Sequence, residues 1–376
     1  MSDDVNAQRN ALLSALRLTM VPGVGPRTQR NLLDRFGSAE AVLNASAGDL
    51  NMVSGVGPKL IRSITEARLN DCAETEMREA AEHRIDLIPQ GHAEYPRPLM
   101  ELPDSPLVMY RRGGTYERDE LAVAIVGSRN CTLYGRQQAE KIGGALARAG
   151  ITIVSGLARG IDAAAHQGAI KAGGRTIAVL GSGLLNIYPP EHQELARDVA
   201  GAGAVVSEFS LHQRPSRGLF PQRNRIISGL SLAVLLIEAR SRSGALHTAR
   251  HAMEQGRDVL ALPGKVDNPA SGGCHELIRD GATLVRHADD VLESLGPLSA
   301  PIKTTETEEV HSPRELTLNE REREILNLVA AEETPIEQVL SATDLAPAVV
   351  LSTLTILEMK KLVRRLPGNH IARRTH

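Results

Sequence analysis

Ala122-Val123-Ala124-Ile125-Val126-Gly127-Ser128-Arg129 is the stretch on which the reading of this chain turns: five unbroken apolar residues running into a Gly-Ser-Arg turn. A strand with no polar alternation is covered on both faces, as strands of parallel sheets are. The same design returns at Ile151 to Val154, Thr176 to Leu180, Ala204 to Val206, Leu232 to Ile237, Val259 to Leu262 and Thr283 to Val285. Helical stretches lie between them at Gln137 to Ala149, Asp162 to Ala172, His192 to Val199, Gly244 to Gln255 and Cys274 to Asp280. Strand and helix in alternation predict an α/β domain, a doubly wound Rossmann-like parallel sheet.

Open parallel sheets collect ligands at the carboxyl ends of their strands. Four segments there are unusual: Gly127-Ser128-Arg129, the run Ser155-Gly156-Leu157-Ala158-Arg159-Gly160-Ile161-Asp162, Gly181-Ser182-Gly183, and Ser241-Arg242-Ser243-Gly244. Glycine and serine at helix starts expose N–H groups and hydroxyls to a phosphate. Glycine at such turns also serves tight packing, but four segments with Arg129 and Arg159 among them point to an anion. Gly181-Ser182-Gly183 continues as Leu184-Leu185-Asn186, so no dinucleotide fingerprint is complete, and no Walker lysine loop exists. No cofactor is expected. Candidates for acid–base work are Asp162 with His166, Glu208 and Glu238; Asp162 reads more simply as a helix N-cap with His166 as its partner one turn on, and no catalytic residue is assigned.

Phe220-Pro221-Gln222-Arg223-Asn224-Arg225 precedes an apolar run from Ile226 to Ala239, which suggests a phosphate-and-base site mounted on a buried sheet. Arg223 and Arg225 offer planar charged forks for phosphate, Asn224 can bond a base edge, and Phe220 offers a stacking face. The alternative is a helix cap paired with surface carboxylates. Arg214 and Arg217 lie nearby with no acidic residue from His212 to Arg225, so the local field is positive.

The chain of 376 residues carries a net charge of -2, which excludes a globally basic nucleic-acid binder and leaves only local patches for that role. Cys72, Cys131 and Cys274 are widely spaced and odd in number, against a disulfide framework or a zinc site and in keeping with a reducing cytoplasm. Met1 to Asn10 lacks the pattern of a secretory signal, and no apolar run reaches the length of a membrane span.

Residues 1–85 contain an internal echo. Val21-Pro22-Gly23-Val24-Gly25-Pro26 returns as Val53-Ser54-Gly55-Val56-Gly57-Pro58, thirty-two residues later and again between helical patterns, which resembles tandem helix-hairpin-helix units of an all-α, SAM-like domain. Such hairpins approach DNA phosphates, and the same residues simply make tight turns between packed helices. Residues 86–296 form the Rossmann-like domain. Residues 297–315 turn Pro-, Thr- and Glu-rich and read as a flexible linker. In 316–376, helices at Leu316 to Ala330, Ile336 to Leu340 and Ala348 to Leu362, then a hairpin from Val363 to Ile371 turning at Gly368-Asn369, look like a winged helix. Its third helix exposes Thr353, Thr355 and Glu358 and has only Lys360 and Lys361 at its end, a poor phosphate face; Arg364, Arg365, Arg373 and Arg374 make the wing and tail basic. A protein-interaction module fits this better than a DNA reader.

Val126-Gly127-Ser128-Arg129, Ser155 to Asp162, Ala165-His166, Thr176 to Gly181, Tyr188-Pro189, Phe220 to Gly229, Ser243 to Leu246 and Leu262-Pro263-Gly264, in this order, closely resemble the DprA/Smf family of DNA-processing proteins of bacterial natural transformation. The resemblance implies a dimeric Rossmann-like domain that binds single-stranded DNA without sequence preference and helps load the RecA recombinase, a recombination mediator and not an enzyme. Carried onto this chain, the DNA and phosphate site comprises Gly127, Ser128, Arg129, Ser155, Gly156, Arg159, Gly160, Gly181, Gly183, Phe220, Arg223, Asn224, Arg225, Ser243 and Gly244. Some relatives place a lysine after Tyr188-Pro189, where this chain has Pro190 and Glu191, and Leu185 stands where an acidic residue is usual. The competing class is a nucleoside-monophosphate phosphoribohydrolase, but its catalytic glutamate has no counterpart in Ser241 to Thr248.

Overall fold

The computed structural model describes residues 2–296, 298, 302–303 and 309–374. Its centre is a sheet of nine strands: β1 (Asp86–Pro89), β2 (Val108–Gly113), β3 (Ala122–Val126), β4 (Thr152–Ser155), β5 (Thr176–Val179), β6 (Ala204–Ser207), β7 (Ala233–Leu236), β8 (Asp258–Ala261) and β9 (Thr283–Leu284), in the order β1-β2-β6-β5-β4-β3-β7-β8-β9. The seven strands from β3 to β9 run parallel, as the apolar runs predict. β1 and β2 extend the sheet antiparallel beyond β6, which the sequence did not announce. Asp86-Leu87-Ile88-Pro89 is short and ends in proline, and β2 carries Arg111 and Arg112, so neither shows the apolar run of its neighbours.

Period-two alternation sends Val123 and Ile125 into one core, against the Leu133–Arg148 and Ile161–Lys171 helices, and Ala122, Ala124 and Val126 into another, beneath the Leu219–Gly229 and Ala245–Glu254 helices. The chain winds outward from β3 through β4 and β5 to β6, then returns to lay β7 on the other flank of β3. That reversal opens a crevice at the carboxyl ends of β3 and β7.

The helical domain is tandem: Pro26–Phe36 and Pro58–Ala67 each follow a Gly-Val-Gly-Pro hairpin, with Gly23 at φ +96° and Gly55 at φ +87°. Both values lie in the left-handed region that favours glycine. This domain does not hang free. Its Leu16, Leu18 and Leu32 share one core with Leu107, Tyr110 and Leu211, and the Glu76 carboxylate accepts the Leu211 N–H at 2.6 Å.

At the other end Glu320–Asn327, Ile336–Ser341 and Pro347–Met359 precede the antiparallel hairpin Val363–Leu366 with His370–Arg373, a winged helix. Two expectations are corrected. Part of 297–315 is packed rather than flexible: Ile302 and Val310 pair and are buried in the core of the central domain, with Leu298 packed against the same cluster; 297, 299–301 and 304–308 lie outside the described residues. Thr353 is buried, its hydroxyl donating to the Val349 carbonyl, while Thr355 is exposed as expected and shares the outer face of the third helix with Leu351, Ile356 and Met359. Among the described residues no helix is long and apolar enough to cross a membrane.

Candidate nucleic-acid interface

The loops after β3 and β4 interlock. Gly160 stands at φ +77°, where a Cβ would come 2.3 Å from the Ser128 carbonyl oxygen, and a Cβ on Gly127 would meet Ile161 Cγ1 at 2.7 Å. The Ser128 N–H donates to the Glu238 carbonyl at 2.7 Å, tying in the loop after β7. The Asp162 carboxylate accepts the N–H groups of Gly156 at 3.1 Å and Ala158 at 3.3 Å. These glycines therefore bring loops together, and the N–H groups of Ser128, Gly156 and Gly183 are bonded within the protein, the last to the Gln213 carbonyl at 2.9 Å. Ser155 is corrected in the same sense: it is buried and its hydroxyl donates to Ile125 O at 2.6 Å, so it staples β4 to β3 instead of facing a phosphate.

Asp162 and His166 are no acid–base pair. His166 bonds Thr176 Oγ1 through Nδ1 at 2.6 Å, and because Thr176 donates its own proton to Ile153 O, the imidazole is the donor. Burial depresses the His166 pKa to about 3, so the ring stays neutral. Glu238, a second candidate, caps the Leu133–Arg148 helix by accepting the Thr132 N–H at 2.8 Å and hydroxyl at 2.6 Å.

The hexapeptide is not mounted on a strand. Phe220 to Arg225 lie in the first turns of the Leu219–Gly229 helix, whose 3.6-residue period divides them: Phe220 and Asn224 share the outer face, whereas Arg223 and Arg225 are each only 4% exposed. Arg223 donates to the carbonyls of Gly156, at 2.8 Å, and Val179, at the ends of β4 and β5. Arg225 pairs with Glu208 and stands 3.2 Å from Asp104. Burial pushes the Arg223 guanidinium down to about 10 and the Glu208 carboxyl up to about 7, the latter despite Arg225. The assignment of Arg223 and Arg225 as strand contacts is thus corrected: Arg223 spends its donors on two backbone carbonyls, and Arg225 is held inside by Glu208 and Asp104, with its Nε and Nη1 buried and without a hydrogen-bond partner among the described residues. They clamp the helix that presents Phe220.

What faces outward is a compact group. The Arg129 guanidinium carbon lies 4.9 Å from the centroid of the Phe220 ring, a cation–π contact. Tyr188 also packs against Phe220, centroids 5.7 Å apart and planes at 46°. Phe220 seats over Gly181, where a Cβ would collide with the ring at 2.7 Å. Arg159 is exposed, its Nε donating to Glu191 Oε1 at 2.5 Å. Ser243 Oγ accepts the Ala245 N–H at 3.3 Å and Gly244 O accepts from Asn224 Nδ2 at 3.4 Å, which closes the crevice on the β7 side. Arg214 and Arg217, in the segment that leads into the Phe220 helix, and Arg240 and Arg242, in the loop after β7, are exposed and, like Arg129, form no ion pair among the described residues. The motif Tyr188-Pro189 does not by itself mark Tyr188 as part of the site; with aromatics at 2% of the chain, a tyrosine seven residues after Gly181 in the loop that follows β5 was the available signal.

A doubly wound sheet with arginines and stacked aromatics at the carboxyl ends of its strands, between a helix-hairpin-helix tandem and a winged helix, defines a three-part DNA-handling architecture. Residues 86–296 match the family model for DNA recombination-mediator protein A, 15–68 that for the SAM-like helix-hairpin-helix tandem, and 309–369 that for the DprA winged helix domain. The chain belongs to the DNA recombination-mediator protein A family, also called DprA/Smf. It is 36% identical to protein Smf of Synechocystis sp. over 96% of this chain and 98% of that protein, and 44% identical to the DNA processing protein DprA of Streptococcus pneumoniae over 53% and 70%. An X-ray structure of the pneumococcal protein superposes with a TM-score of 0.63 at 33% identity, covering 75% of this chain and 96% of that one. DNA processing protein A from Helicobacter pylori, in a structure concerned with its single-stranded DNA binding mode, gives a TM-score of 0.51 at 30% identity, covering 55% and 94%.

Proposed function

We propose that this chain binds single-stranded DNA without sequence preference at the crevice beside β3 and hands it to the RecA recombinase, as a homodimer acting in the cytoplasm. The observation that carries the reading is Arg129 over Phe220: an unpaired guanidinium for a phosphate next to an aromatic face for a base. Every base has a π-face, so stacking of this kind is indifferent to sequence. Tyr188 prolongs the platform, and Arg159, Arg214, Arg217 and Arg242 supply the electrostatic funnel. The H. pylori relative's single-stranded DNA binding supports the same assignment. The RecA partnership rests on family membership. Pairing through the Rossmann-like domain is supported by β9, a sheet edge that leaves Leu284 45% exposed.

Fluorescence anisotropy with labelled oligothymidine and a duplex of equal length tests the reading. Single strands bind more tightly, and log affinity falls linearly with log salt, by about 0.7 for each phosphate neutralised. Equal affinity for both forms, or no salt slope, overturns it. Release of free base from nucleoside monophosphates would instead support the phosphoribohydrolase class.

A further inference from the structure

A second cation pair lies behind the Tyr188 loop. Arg112, on β2, and Arg197, on the Gln193–Ala202 helix, line a cavity of about 180 Å³ together with Leu184, Leu185, Ile187 and Gln193. Neither arginine forms an ion pair among the described residues, although Arg112 is half-buried and burial depresses its pKa with nothing to offset it. A partly desolvated guanidinium without a carboxylate is costly in the free protein and is satisfied when an anion arrives. Its neighbour on β2, Arg111, shows the contrast: it is buried with Asp86 and Glu94 both bonded to it.

The cavity shares a loop with the site proposed above. Leu185 and Ile187 form its wall, and the next residue, Tyr188, packs against Phe220. A chain of linked phosphates and apolar sugar and base faces suits a wall of Leu185 and Ile187 closed by two guanidiniums. We propose that Arg112 and Arg197 form a second nucleotide-binding subsite, which takes a phosphate of the same strand after it has passed Tyr188 and packs that nucleotide's sugar and base on Leu185 and Ile187. This inference rests on the single-stranded DNA reading and lengthens its track.

The test uses the full chain and the Arg112→Gln/Arg197→Gln double variant, with oligothymidines of about 4 and about 15 nucleotides, the range of site sizes known for single-strand binders. Expected is unchanged affinity for the short strand and roughly tenfold weaker binding of the long one, as for loss of a charged contact. The salt slope for the long strand drops by about 0.7, one phosphate's worth. The thermal midpoint of the variant is at or above the parent's, because no protein partner is lost and a partly desolvated charge is removed. If Arg112→Gln fails to fold, the exposed single change Arg197→Glu serves, with the same length-dependent loss expected. Parental affinity and slope for both lengths overturn the subsite while leaving the main site standing, whereas no binding by the parent chain overturns the main reading itself. Competition by poly-glutamate as effective as that by oligothymidine, lost in the variant, assigns the cavity to protein carboxylates and also overturns the proposal.

Discussion

Arg129 holds its guanidinium carbon 4.9 Å from the ring centroid of Phe220 and forms no ion pair among the described residues. Arg129 follows β3 and Phe220 lies in the first turn of the Leu219–Gly229 helix, which Arg223 ties to the ends of β4 and β5. Arg129→Ala is expected to weaken oligothymidine binding at least roughly tenfold by loss of a charge-assisted contact, and Phe220→Ala to remove about 1–3 kcal/mol of stacking. Anisotropy measures both, and unchanged far-UV circular dichroism shows the fold intact. Parental affinity in Arg129→Ala would refute the site.

Arg225 gives the opposite signature. Arg225→Met leaves the buried Glu208 without its cation, so the chain should lose about 3–5 kcal/mol in urea denaturation. A surface DNA ligand would lose affinity at constant stability. That result would reverse the structural role assigned to it.

Glu191 stands beside the site and bonds Arg159 at 2.5 Å. Glu191→Ala frees that guanidinium for a phosphate, and the salt slope should steepen by about 0.7 with a corresponding gain in affinity. An unchanged slope would mean that Arg159 does not reach the strand.

Gly160→Ala forces a side chain into φ +77° with a backbone oxygen 2.3 Å away. The loops after β3 and β4 must then part, at a cost of about 1–3 kcal/mol. Thermal midpoint and oligothymidine affinity should fall together; a variant with parental values in both would show the interlock to be dispensable.

His166 and Glu208 bias stability against pH in opposite directions. His166, ordinarily 6.5, is held near 3, so the unfolded chain binds the extra proton: its contribution is full above 6.5 and declines by about 1.4 kcal/mol per pH unit as pH falls toward 3. Glu208, ordinarily 4.5, is raised to about 7, so the native state binds the proton: its contribution is full below 4.5 and declines as pH rises to 7. Between 4.5 and 6.5 the two oppose each other. Urea titrations of His166→Gln and the parent should therefore converge as pH drops from 7.5 to 5, and curves that stay parallel would exclude His166 as the source.

The sheet was legible because its strands are apolar on both sides, so sequence alone located the seven parallel strands and the loops at their ends. The misreadings share one cause. Arg223, Arg225 and Ser155 carry chemistry suited to a ligand, and the sequence does not say whether their acceptors lie in the protein or outside it. Helix phase held part of the answer. Once Ile226, Ile227 and Leu230 are seen as the buried stripe of a helix, Arg223 falls on that stripe and Phe220 with Asn224 falls off it. Tyr188 stayed hidden because its partner in space is 32 positions away along the chain.

The core that Leu16, Leu18 and Leu32 share with Tyr110 and Leu211, fastened by Glu76, makes the helical segment a poor candidate for exchange. A chimaera that swapped only residues 1–85 with a relative's would inherit a mismatched hydrophobic seam and an unbonded Leu211 amide beside the loop that carries Arg214 and Arg217. Grafting the segment successfully means transplanting its footprint on β2 and on the loop after β6 as well, so the two regions are expected to vary as one heritable unit.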